Sequence, residues 1–129
     1  MSDTPDYCDV IAAAIGDAGY ADVVRKLPDD CRRMEAVMVF PADVRVESKY
    51  FDLFQARDFH ADVLVKRESD EAAEEAAWDI QDVLAHADLS SSDGSYELSG
   101  FEVSTPRPVS VKPDETGYYT WHLQVTLHE

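Results

Sequence analysis

Between positions 69 and 87 the apolar residues fall at Ala73, Ala76, Ala77, Ile80, Val83, Leu84 and Ala87. Steps of three and four residues put them on one stripe at about 100° per residue, which predicts an amphipathic helix over Ser69–Ala87. Ser69 supplies a capping hydroxyl, and Asp70, Glu71, Glu74 and Glu75 place negative charge where the helix dipole is positive. Alanines early in the stripe and larger aliphatics later suit close packing against a sheet at one end. Trp78 stands apart. It lies about 160° round the helix from Ile80, among Glu71, Glu74, Glu75 and Asp82. A tryptophan there is either a lid over a loop of its own chain or a contact for a partner.

A second helical pattern comes first in the chain. Thr4-Pro5-Asp6 is a helix start, followed by Tyr7, Ile11, Ala14, Ile15 and Ala18 as the apolar stripe, and Gly19 is a natural end. Strand patterns fill most of the rest. Val23-Val24 is a candidate short strand, and Pro28-Asp29-Asp30 is a turn. Met34–Phe40 is an almost continuous apolar run closed by Pro41, which predicts a strand buried on both faces. From Phe59 to Arg67 the residues alternate, with Phe59, Ala61, Val63 and Val65 on one face and His60, Asp62, Leu64 and Lys66 on the other.

After the second helix, Leu89–Ser95 reads as a loop. Tyr96 and Leu98 share one phase and Phe101 and Val103 the opposite one, so Gly100 is the expected site of a bulge. Pro106 and Pro108 mark an edge or a turn, and Asp114-Glu115-Thr116-Gly117 a hairpin turn. The last strand is strong: Tyr119, Trp121, Leu123, Val125 and Leu127 point inward, and Thr120, His122, Gln124, Thr126 and His128 outward. The pattern predicts an α+β fold: a mixed, mainly antiparallel sheet with two helices packed on one face. Asp43–Arg57 is polar and lacks a clean period, although Val44 and Val46 allow a strand to begin there. A long loop of this kind is commonly functional, and Tyr50, Phe51 and Phe54 argue against plain disorder.

The length of 129 residues fits a single domain over residues 1–129, large enough for one core without staples. Charge narrows the function classes. There are 27 acidic and 11 basic side chains, a formal charge of -16, with 17 Asp against 4 Lys. A nucleic-acid binder needs a basic footprint, and an anionic membrane surface repels this sign of charge. MSDTPDY carries no signal-peptide pattern and no apolar stretch approaches 18 residues, so no membrane association is expected. Cys8 and Cys31 lie 23 apart without a CxxC, which reads as two free thiols in a reducing compartment.

Chemistry is hard to find. His122 and His128 share a strand face but stand six residues apart, about 20 Å, too far to share a metal. His60 and Asp62 read as surface decoration, and His86 suits the negative end of the helix dipole. Hydrolase, zinc-protease, phosphate-loop and calcium-loop motifs are all missing. No catalytic residue, metal or cofactor is expected.

The ordered set of pieces resembles the tail terminator, or tail completion, proteins of long-tailed bacteriophages. It runs over roughly Val10 to His128: IAAAIGDAG, then LPDD before the buried strand MEAVMVF, then a long loop, then LVKRESDEAAEEAAWDIQDVL, and finally the aromatic strand GYYTWHLQVTL. The resemblance implies a structural virion protein at the head–tail junction. It implies a ring, six subunits in such proteins, that ends tail-tube polymerisation and joins the tail to the head connector or stopper. Partners would be further copies of the chain, the tail tube protein and the connector, with genome DNA passing through the hole without specific binding. An acidic lumen suits that passage. Trp78, Tyr50, Phe51 and Phe54 are then candidate interface residues, and Arg25, Arg32, Arg33 and Arg45 candidate complementary contacts between subunits. Two rival readings are another head–tail adaptor such as a stopper, and a free acidic DNA mimic that blocks a nucleic-acid enzyme.

Overall fold

A computed structural model describes residues 6–25, 35–42, 58–92, 94, 96–109, 112–113 and 117–128. The helix at the centre of the pattern is α2 (Asp70–Ala85), while the first helix is α1 (Tyr7–Asp17). Ser69 caps α2 as expected, its hydroxyl accepting from the Ala72 N–H at 3.0 Å. Ala73, Ala76, Ala77, Ile80 and Leu84 are buried, and Val83 and Ala87 only half-buried at the stripe's margin. The helix stops two residues short of Ala87, where the His86 N–H turns back to the Val83 carbonyl at 3.3 Å.

In α1 the buried residues are Cys8, Ile11 and Ile15. Ala18, expected on that stripe, caps the helix end and is exposed, while Cys8 in the first turn is buried. Gly19 follows with φ +111°, a backbone conformation that costs glycine little and other residues more. Asp6 precedes α1 without capping it. Its carboxylate instead accepts from Ser91 Oγ at 2.7 Å and from the Ser92 N–H and Oγ at 3.0 and 2.6 Å. The start of α1 is thus pinned to the segment after α2.

The strands are β1 (Val23–Val24), β2 (Ala36–Pro41), β3 (Asp58–Arg67), β4 (Gly100–Val103), β5 (Arg107–Pro108) and β6 (Tyr119–His128). They form one sheet ordered β1-β2-β3-β6-β4, with β5 also on β6. Only β1 and β2 are parallel; the other pairs are antiparallel. The fold is therefore the expected α+β type. Opposed pairs Ala61–Val125, Val63–Leu123 and Val65–Trp121 run down the middle of the inner face. Val37 and Val39 extend it, and Ile11, Ile15, Ile80 and Leu84 cover it from the helices. Each fully buried aliphatic contributes about 1.5–3 kcal/mol, so this layer is the main source of stability.

Two expectations are corrected. β2 is not buried on both faces: Val37 and Val39 are fully buried, whereas Met38 and Phe40 are half-buried on the face away from the helices. The bulge is not at Gly100, which begins β4 in normal register with His128. It lies further on. Val103 faces Val125, but Arg107 faces His122, so four steps on one strand match three on the other. Pro106, which has no N–H to give the ladder, sits inside that slip. Pro108 is accommodated because β5 is at the sheet edge. The expected turns at Pro28-Asp29-Asp30 and Asp114–Thr116 and the segment from Asp43 to Arg57 lie outside the described residues.

Candidate interaction surfaces

The outer face of α2 keeps the character read from its sequence. Trp78 is 45% exposed, and Glu71, Glu74, Glu75 and Asp82 around it are exposed. Asp79 on the same side accepts from the Tyr20 hydroxyl. Burial and that bond push the Tyr20 hydroxyl up to about 12. At that exposure Trp78 is partly covered by its own chain and partly open to water.

Arg25 is held within its own chain. Its Nε donates to the Val39 carbonyl at 2.9 Å, and its Nη1 pairs with Asp9. Arg67 pairs with Asp22 at 2.8 Å beside it, tying the β1 end to β3. The remaining candidates Arg32, Arg33, Arg45, Tyr50, Phe51 and Phe54 lie outside the described residues.

The sheet face away from the helices carries a feature that strand patterns alone do not reveal. Three of the four histidines meet polar partners across the β3–β6 ladder. His122 Nε2 is 2.7 Å from Asp62 Oδ1, His128 Nδ1 is 2.9 Å from Asp58 Oδ1, and His60 Nδ1 is 3.2 Å from Thr126 Oγ1. The partners are 60 to 70 positions apart in the chain, so only the strand register brings them together. On the same face Lys66 is buried, its ammonium 5.0 Å from the centre of the Tyr118 ring. These pairs are spaced along the ladder rather than converging. Among the described residues no three His, Cys, Asp or Glu side chains come together as a metal site.

Cys8, under the helices, is a free and buried thiol, pushed up to about 11 mainly by that burial. It is therefore a packed core group, unsuited to act as a nucleophile near neutral pH. Cys31 lies outside the described residues. No helix among the described residues is long and apolar enough to cross a membrane.

The arrangement is a sheet with two helices packed over it, and Trp78 and Val109 exposed at its surface. The family model of bacteriophage tail terminator proteins matches residues 10–128. The chain belongs to that family, a family of structural phage tail proteins and hence of virion components. No curated protein matches it.

Proposed function

We propose that the chain, as a single domain, assembles into a ring of six subunits that ends tail-tube growth and joins the tail to the head connector. The observation that carries this reading is the family match over residues 10–128. The surface supports it: Trp78 stands exposed on a helix whose buried stripe is complete without it. The reading involves contacts with further copies, with the tail tube protein and with the connector or stopper, and no catalysis or cofactor. DNA passes through the hole, and a formal charge of -16 per chain lets it slide without adhering. The protein is made in the host cytoplasm and ends in the virion. The Arg45–Arg57 segment and Trp78 meet neighbouring subunits or the tube.

Tail-tube protein polymerising alone, with and without the purified chain, tests this. The expected result is shorter tubes carrying extra density at one end in electron micrographs. An unchanged distribution of tube lengths would refute termination by this protein.

A further inference from the structure

A groove of about 510 Å³ runs between α1 and the segment that follows α2. Val10, Ala13 and Ala87 form its apolar floor, and Asp9, Asp17 and Asp88 stand along it. Asp9 is already paired with Arg25, whereas among the described residues no basic side chain pairs with Asp17 or Asp88, which form its rim. Asp88 is held by the Ser90 N–H and hydroxyl at 3.1 and 2.7 Å, so its carboxylate is fixed in place. An occupant needs a small apolar body and a positive charge beside it.

The same chain exposes such a piece. Val109 is 59% exposed and, with Trp78, is one of the two large exposed hydrophobic residues among the described residues. Arg107 and Pro108 just before it are exposed as well. The Val109 N–H bonds to the Thr120 carbonyl at 2.9 Å, so this edge is held against β6 rather than hanging loose.

Groove and edge lie on opposite sides of the molecule. α1 packs over β1 and β2 at one border of the sheet, while β5 lies beyond β6 at the other. They are also at opposite ends of the strands. Tyr7, at the head of α1, stacks on Phe59, which faces Leu127, whereas β5 faces His122 and Trp121. Six strand residues separate Leu127 from Trp121, about 20 Å. A chain cannot fill its own groove across that distance. Two different patches on opposite sides are what a head-to-tail contact requires, and such contacts close into rings when the rotation allows.

We propose that the groove beside α1 receives the Arg107–Val109 edge of a second copy of this chain, Val109 resting on the apolar floor and Arg107 facing Asp17 and Asp88. This assigns surfaces to the ring reading above and rests on it. The test places cysteines at the two ends of the apolar contact, Ala13→Cys with Val109→Cys, in a Cys31→Ser background, under mild oxidation during assembly with tail tubes. Both sites are exposed, so folding is preserved. The double variant should give a ladder of disulfide-linked chains on a denaturing gel, while each single variant gives none. A complementary pair of variants tests the charges: Arg107→Glu should weaken assembly about tenfold, and Asp88→Arg added to it should restore assembly. If the wild-type chain assembles but the double variant forms no ladder, the contact is overturned and the ring stands. If the wild-type chain stays monomeric with tail tubes present, ring and contact fall together.

Discussion

The indole N–H of Trp121 donates to the Asp70 carboxylate at 2.9 Å, joining the inner face of β6 to the first turn of α2. Trp121 is buried, so its N–H has little access to water. Asp70 also sits where the helix dipole is positive. Asp70→Ala should cost about 1–3 kcal/mol, the usual cost of leaving a buried donor unpaired. Asp70→Asn keeps an acceptor and should cost less. Urea unfolding of the three proteins measures this, and an unchanged midpoint for Asp70→Ala would show that the bond contributes nothing.

Ile80 is fully buried where α2 meets the sheet. Ile80→Val removes one methyl and should cost about 0.5–1.5 kcal/mol, leaving the fold intact. Ile80→Asp buries an unpaired charge, against a total stability of about 5–15 kcal/mol, and should give unfolded or insoluble protein. A folded Ile80→Asp variant with the wild-type melting temperature would contradict the core described above.

Alkaline pH should destabilise the protein in a defined window. Burial raises the Cys8 thiol from 9.0 to about 11 and, with Cys8 beside it, the Tyr7 hydroxyl from 10.0 to about 12. Folding thus favours the protonated forms. Their contribution is complete below pH 9, where both states hold the protons. It is lost as pH rises through 11 and 12, because the unfolded chain ionises first. Melting temperatures from pH 8 to 12 should fall above 9, and Cys8→Ala should make the part between 9 and 11 shallower. At pH 7.5 a thiol reagent should modify Cys8 only after denaturant is added; rapid modification of the native protein would place the thiol at the surface.

What could be read in the sequence follows from how local each signal is. The Ile80–Leu84 stripe and the alternation of β6 need only neighbours in the chain, and both elements are where the pattern puts them. The β2 run reads as buried on both faces because Met38 and Phe40 are as apolar as Val37 and Val39; which face is covered depends on the helices, not on β2. The slip between Val103 and Arg107 escaped for a related reason. A bulge is a mismatch between two strands, and the phase of one strand cannot locate it. Among surface features, Trp78 was legible from its angle on the helix. The pairing of His122 with Asp62 was not, since it requires the β3–β6 register. Nor was the groove beside α1, which is formed by segments about 80 positions apart.

Charge sets the conditions for assembly. In the proposed ring, six copies of a chain with formal charge -16 bring together 6 × -16 = -96. Individual contacts such as Arg107 with Asp88 are attractive under the head-to-tail arrangement, yet the net term between subunits of this sign is repulsive. That repulsion acts between exposed charges and is screened over about 10 Å at 0.1 M salt and about 3 Å at 1 M. Burial of apolar surface such as Trp78 and Val109 is not weakened by such salt. The purified protein should therefore be monomeric at low ionic strength and shift towards larger rings as salt rises, which light scattering across a salt series measures. Trp78→Ala should lower the melting temperature far less than Ile80→Asp does, since nearly half of the residue is exposed, but move the onset of assembly to higher protein concentration. The opposite salt response, a ring stable at low ionic strength that salt dissociates, would mean that ion pairs hold the subunits together. In that case Arg107→Glu should abolish the ring at every salt concentration, and Trp78→Ala should leave it intact.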